Sequence, residues 1–475
     1  MVEAGLQARA AGDNVGALAQ FQAANQARPD DPWILFRMAE ELRHLRRHEE
    51  AESALDAALV LSGGPKHRIM LEMGHLAHAM GDRERALLRF QEAGAAAPAD
   101  PWPSLYAGQM LWRLGRPQEA QPALERAAAP DTPARLPALM HLGHLARELG
   151  QHAAALGHFQ AAAEIAPDDP WPHLYAGQEL RRAGRADEAR AALGRVPAGS
   201  PARSHAVMEL GHVAAGAGTM EEALAHFREA AALLPLDPWP RLHEAAALRA
   251  IGRLDHAAAT YRAVLEGWPG NYAALVGLGQ VARAQGDLTA AEAHLRAATE
   301  IDPDAPAAWT ELAATLAEGG AEDVALMVLG RVAGGAPQQA EPALLAQVQL
   351  HRQAGRFEAA LGLLRRLEGP PPGRPDILAE MAQEERRLGR PDAARALLDR
   401  ALATEPSQLQ ALMQLAELAR TARDLPGAAE AYRRAVAAHP NNPWPRIGLA
   451  QVLHDGGALT EALEALDAAA KVAGS

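Results

Sequence analysis

Cysteine is absent from this 475-residue chain, so no disulfide framework, thiol nucleophile or thiolate metal site can be built from it. Lysine is nearly absent as well: Lys66 and Lys471 leave 44 arginines among the 46 basic residues. That bias, with abundant alanine and glycine, resembles a GC-rich bacterial coding sequence. No run of about 18 apolar residues occurs, which excludes a membrane-spanning helix. No basic N-terminal segment leads into an apolar core, so no secretory signal is expected and the reading is cytoplasmic. Net charge is −13, which argues against a general nucleic-acid binder. Aromatic residues make up only 4%, yet 49% of the chain is hydrophobic and 22% charged, the proportions of a folded protein.

What fills the chain is a repeat. Met73-Gly74, Leu142-Gly143, Leu210-Gly211 and Leu278-Gly279 align, and each is followed seven residues after its glycine by Gly81, Gly150, Gly218 or Gly286. Twelve after it stand Ala86, Ala155, Ala223 and Ala291, and sixteen after it Phe90, Phe159, Phe227 and Leu295. Nineteen after it come Ala93, Ala162, Ala230 and Ala298, and a proline (Pro98, Pro167, Pro235, Pro303) closes each unit. The pattern can be placed fourteen times, with anchors at Gly5, Ala39, Gly74, Gly108, Gly143, Gly177, Gly211, Ala245, Gly279, Ala313, Val348, Ala382, Ala416 and Ala450.

These residues are packing residues. Two helices approach closely only where side chains are small. The anchor and the two alanines supply that contact, while Phe90, Phe159, Phe227, Tyr261 and Tyr432 fill the space beside it. The inner glycine suits a left-handed helix C-cap, and the aspartate in Gly81-Asp82 or Gly286-Asp287 suits an N-cap. Asp-Pro-Trp recurs at Trp33, Trp102, Trp171 and Trp239, every 68–69 residues, and reads as a capped helix start. The tryptophans either form an exposed row for ligand stacking or seal the preceding helix pair.

The pattern resembles the tetratricopeptide repeat, a 34-residue helix–turn–helix with L-G early, A-x3-F later and a closing proline. The resemblance covers essentially the whole chain. It implies an all-α fold: an α-solenoid of about 28 helices in antiparallel pairs, wound as a right-handed superhelix. Repeats 1–10 are expected over residues 1–336, an irregular eleventh over 337–375, and repeats 12–14 over 376–475. The irregular stretch contains Gly334-Gly335-Ala336-Pro337 and Gly369-Pro370-Pro371-Pro372-Gly373, where a hinge or register slip is expected.

Apparent catalytic motifs dissolve in this frame. Gly277-Leu278-Gly279-Gln280-Val281-Ala282 mimics a dinucleotide fingerprint, but that motif follows a strand, and Gly279 is a repeat anchor inside a helix. No phosphate loop, zinc-protease helix, nucleophile elbow or calcium loop is present. His75/His78 and His141/His144 have a spacing that suits zinc, yet no further ligands gather near them in sequence. The expectation is a protein that is not an enzyme and has no metal and no cofactor.

By the resemblance, the first helix of each pair lines a concave groove, and recurring positions on it contact a ligand. The residue after the anchor reads His75, Gln109, His144, Gln178, His212 and Gln280. Four after the anchor stand Arg43, His78, Trp112, Arg147, Arg181, Arg249, Arg283, Arg386 and Arg420. Two before it stand Tyr106 and Tyr175, or a glutamate: Glu72, Glu209, Glu311 and Glu380, with Glu244 one before Ala245. Guanidinium groups fork onto carboxylates. The expectation is therefore a scaffold that binds an extended, acidic polypeptide, with neither nucleic acid nor membrane as partner; the alternative for the arginines is a solvated face paired with neighbouring glutamates. The lysine and asparagine that hold a terminal carboxylate in chaperone-binding members of this family are here His or Gln. Two further readings follow from the chain ends, which lack polar caps: self-association, or a substrate-recruiting arm of a longer glycosyltransferase, sulfotransferase or methyltransferase.

Overall fold

The computed structural model describes residues 1–61, 66–334 and 337–473. Among the described residues 28 α-helices follow one another with no strand between them. The chain forms two compact units, Met1–Pro240 and Arg241–Ser475. No helix among the described residues is long and apolar enough to cross a membrane.

In the first unit each helix packs against the next. The helix Lys66–Ala79 lies against Arg83–Ala96, Pro101–Arg113 against Pro117–Ala127, Arg135–Glu148 against His152–Ile165, and Pro170–Arg182 against Ala186–Gly194. The anchor glycines explain the closeness. A Cβ placed on Gly74 would sit 2.4 Å from the Phe90 ring, on Gly143 2.4 Å from Phe159, and on Gly177 2.5 Å from Leu193. Phe90 and Phe159 are buried in consequence, each burial contributing roughly 1.5–3 kcal/mol. One apolar cluster runs from Ala77 through Phe90, Leu111 and Leu124 to Leu145, so neighbouring pairs share a core and none closes its own.

The turns within pairs follow the sequence. Gly81 adopts φ +85°, its N–H donates to the His78 carbonyl, and Asp82 N–H reaches back to Ala77. Asp82 then accepts from Arg85 N–H and opens the second helix. Arg46 and Arg423 occupy the same left-handed position without being glycine, at φ 59° and 61°. Helix starts behave likewise: Asp31, Asp100, Asp169 and Asp237 each accept from the backbone N–H of the tryptophan two residues on.

The first helices of neighbouring pairs touch, as Pro101–Arg113 touches Arg135–Glu148 and Pro170–Arg182 touches Arg203–Gly216. Second helices of neighbouring pairs make no comparable contact among the described residues. First helices therefore form the crowded inner face of the unit.

The second unit repeats the scheme, with one addition. Gly279 faces Leu295 of its own pair, while Gly277 faces Tyr261 of the preceding pair, where a Cβ would meet the ring at 2.3 Å. Gly448 faces Tyr432 in the same way. Both glycines of the apparent dinucleotide motif are thus packing residues on the helix Tyr272–Ala284. In the irregular stretch, Gly335 and Ala336 lie outside the described residues. The helix Pro337–Gln353 has 17 residues with Pro342 inside it. The proline tract forms a hydrogen-bonded loop: Gly373 N–H donates to Pro370, Arg374 N–H to Glu368, and the Arg400 guanidinium to the Pro372 carbonyl at 3.1 Å.

Candidate functional site

The inner face of the first unit is built from first-helix side chains that the core does not need. His75 stands edge-on to Phe90 and Tyr106, with ring centroids 5.2 and 4.5 Å apart. One two-repeat step along, His144 stands edge-on to Phe159 and Tyr175 at 5.3 and 4.6 Å. Trp102 stacks on Tyr106 and Trp171 on Tyr175, each pair four residues apart on one helix. The result is the same four-ring cluster twice. His212 continues the row against Phe227 at 5.3 Å.

Charge is scarce on this row. Burial, with Arg43 and His78 nearby, lowers the His75 imidazole to about 4. Burial, with Arg147 and His141, does the same for His144. Burial also lowers His78, His141 and His212. All five are neutral at neutral pH and present hydrogen-bonding rings, not cations. His141 shares a 2.7 Å hydrogen bond with Gln109, and His78 one of 2.9 Å with Arg113. Among the described residues no group of three or more His, Asp or Glu could hold a metal ion.

Most of the arginine column meets carboxylates of its own chain. Arg43 pairs with Glu72 and Arg181 with Glu209, which also accepts from Gln178. Arg283 pairs with Glu311, which accepts from Gln280, and with Glu318. Glu72, Glu209 and Glu311 stand two before the next anchor, so each arginine is met across the gap between first helices. Arg147 lies 2.8 Å from Glu179, with its guanidinium 5.2 Å from both the Phe159 and Tyr175 rings. Arg420 pairs with Glu417 at 2.8 Å, and Arg249 lies beside Tyr261. Arg386 is exposed, and its charge reaches Glu417. Trp112 donates to Glu148 at 2.6 Å. The column is thus largely neutralised by its own neighbours; it is not a bare positive strip.

Two members of the column escaped the sequence reading. Arg9, four after Gly5, pairs with Glu40 and lies near Glu41; Arg352, four after Val348, pairs with Glu380 and Glu384. Counting every anchor alike would have found both. Glu41, Glu179 and Glu384 were also missed. They are buried, two after their anchors, where Leu76, Leu145 and Val213 stand in other pairs. Glu179 receives Arg147, Arg182 and His152. The tryptophans divide: Trp102 and Trp171 are half-buried against the core, whereas Trp33, Trp239 and Trp444 are 39, 57 and 66% exposed.

The family models that match the chain agree with this architecture. One family model, described as a tetratricopeptide repeat, matches residues 105–170, 242–306 and 380–443; a second of the same description matches 146–208 and 419–474. No curated protein matches the chain. Among solved structures, the Naa15/Naa10 complex bound to HypK-THB is similar at 17% identity and a TM-score of 0.40, over 98% of this chain and 87% of that one. A tetratricopeptide repeat protein from Parabacteroides merdae is similar at 18% identity and a TM-score of 0.41, over 53% of this chain and 100% of that one. The C-terminal part of a repeat protein from Cytophaga hutchinsonii is similar at 17% and 0.43, over 50% and 98%.

Proposed function

The chain belongs to the tetratricopeptide repeat family, and on that premise we propose that it is a non-catalytic scaffold holding an extended polypeptide along the first helices of the first unit. The observation behind this reading is the row His75, Tyr106, Gln109, His144, Tyr175, Gln178 and His212. Each is half-buried, so its position is fixed by packing while part of its surface stays open. A row of fixed rings and amides suits a peptide backbone, whose hydrogen-bonding groups repeat along its length. Fixing these side chains in advance removes ordering entropy that binding would otherwise cost.

Charge plays the smaller part in this reading. A ligand carboxylate that reaches Arg181 or Arg147 must compete with Glu209 or Glu179, so it exchanges one ion pair for another. Each such contact is worth about 0–1 kcal/mol at a partly exposed site, and salt weakens it further. Any preference for an acidic ligand is therefore slight.

The test uses the full chain as bait and its captured partner as reagent. An unstructured segment of the partner should bind as tightly as the whole, and Gln109→Glu with Gln178→Glu should abolish binding by adding buried charge to the row. A partner that binds through a folded domain, indifferent to both substitutions, overturns the reading.

A further inference from the structure

Each of the two four-ring clusters carries indole and phenol donors that make no hydrogen bond to the described residues. Trp102 lies over Tyr106 with ring centroids 6.0 Å apart at 24°, and Trp171 over Tyr175 at 5.9 Å and 27°. Two other first-helix indoles are engaged: Trp112 donates to Glu148, and Trp309 to the Pro303 carbonyl. The indole N–H groups of Trp102 and Trp171 and the hydroxyls of Tyr106 and Tyr175 make no such bond among the described residues. None of the four is a buried atom lacking a partner, so all four meet solvent. Each cluster thus offers a flat apolar slab with two hydrogen-bond donors at its edge. The guanidinium beside the second slab, Arg147, is ion-paired with Glu179 at 2.8 Å, while its Nε and one Nη are buried without a hydrogen bond.

We propose that these clusters are paired seats for a proline-rich polypeptide in the extended left-handed conformation; the proposal rests on the scaffold reading above and names its ligand class. The match is one of hydrogen-bond supply. A polyproline II chain leaves all its carbonyls unbonded, and proline brings no N–H. Such a ligand presents acceptors and flat rings, and the seats present donors and flat rings. A general extended peptide would add an N–H at each residue, for which the indoles have no acceptor.

Two further observations favour this occupant. The Asp-Pro-Trp start alone does not make a seat. One turn after Trp33 stands Arg37, and the guanidiniums of Arg37 and Arg68 cover the Trp33 ring at 5.9 and 5.6 Å. One turn after Trp444 stands Gly448, which packs on Tyr432. Only at 102 and 171 does a tyrosine follow. The spacing also fits a single ligand. The seats lie two first-helix steps apart, roughly 16–20 Å at 8–10 Å per step. A polyproline II chain rises about 3.1 Å per residue, so about five or six residues bridge them.

The experiment is fluorescence anisotropy on the full chain with labelled oligoprolines of about 12 and about 3 residues and a Gly-Ser peptide of the longer length. The longer oligoproline should bind, the Gly-Ser peptide should not, and the shorter oligoproline should bind at least about tenfold more weakly because it reaches one seat. Trp102→Leu should reduce the longer peptide to the affinity of the shorter, and Trp102→Leu with Trp171→Leu should remove binding. Because both indoles also touch the core, Tyr106→Phe with Tyr175→Phe is the gentler variant. It keeps both rings and the helical circular dichroism, and should weaken binding about three- to tenfold by removing two O–H donors. Equal binding of oligoproline and Gly-Ser peptide, or oligoproline binding untouched by all of these variants, overturns the proposal. If a captured partner depends on Gln109 and Gln178 while oligoproline is ignored, the seats are wrong and the scaffold stands. If the glutamine variants leave capture intact, the scaffold reading itself fails.

Discussion

The inner face of residues 66–216 and that of residues 272–421 use the same repeat positions for different chemistry. In the first, those positions hold neutral imidazoles, phenols and indoles stacked on one another, as well as the ion pairs Arg147–Glu179 and Arg181–Glu209. In the second they hold ions: Arg283 with Glu311 and Glu318, Arg352 with Glu380 and Glu384, Arg420 with Glu417. The packing beneath is common to both, since Gly143 receives Phe159 as Gly279 receives Leu295. The fold is therefore set by one group of residues and the face by another, and the face can change its chemistry without disturbing the helix pairs.

If that separation holds, damage to the packing layer should be the most costly change and should cost alike in both regions. Phe159→Ala removes a fully buried ring and should lose about 3–5 kcal/mol; Leu295→Ala should lose about 2–5. Urea unfolding with hydrogen exchange would register both as loss of protection in the altered pair and its neighbours, as expected of a nearest-neighbour array. A loss under about 1 kcal/mol at either site would mean that the shared packing is not what holds the pairs.

Face substitutions should then separate the regions. Arg352 is 10% exposed, and its partner Glu384 is fully buried. Arg352→Met leaves that carboxylate without its main counter-charge and should cost about 3 kcal/mol; pairing it with Glu384→Leu should recover most of the loss. Arg420→Gln, at a 37% exposed site, should cost under about 1 kcal/mol. Equal costs at Arg352 and Arg420 would show burial to be irrelevant to these pairs.

Acid should single out the ring-bearing face. His75 and His144 have folded-state pKa values near 4, below the ordinary 6.5. An unfolded chain takes up these protons first as pH falls. The stability due to neutral imidazoles is thus complete above about pH 6.5 and is lost progressively toward pH 4, by up to about 3 kcal/mol for His75 and by less for the more open, solvent-screened His144. Exchange protection of residues 66–159 should decline across that window, and His75→Asn should flatten the decline. An unchanged pH profile in the variant would assign the acid sensitivity elsewhere.

How far the sequence reaches can be seen residue by residue. Gly81, Asp82 and the Asp-Pro-Trp starts act locally, within one turn, and their roles are legible from spacing alone. The anchor contacts are legible because they repeat. The ion pairs were half legible: both columns were visible, but joining Arg181 to Glu209 needs the offset between neighbouring first helices, a tertiary quantity. Glu179 and Glu384 were hidden because each stands where the periodic pattern calls for an apolar residue, and their partners come from the preceding pair. Gly277 was misleading for the same reason, since its partner Tyr261 belongs to the pair before it.

The smallest effect concerns the turn that both regions share. Arg46 in the first unit and Arg423 in the second hold the left-handed position that Gly81 holds, at φ 59° and 61° against 85°. An L-residue there costs roughly 1–2 kcal/mol. Replacing it by glycine relieves that strain but gives the unfolded chain more freedom, which takes back roughly 0.5–1 kcal/mol. Both arginines are exposed, and neither has a carboxylate within ion-pair distance among the described residues. With no contact to lose, Arg46→Gly and Arg423→Gly should each stabilise by about 0.5 kcal/mol, raising the urea midpoint slightly with an unchanged slope. The gain should be the same in both units, because it arises from backbone geometry and not from the face. A loss at either position would mean that the arginine side chain supports its helix end in a way the backbone does not reveal, and the division between packing and face residues would need a third class.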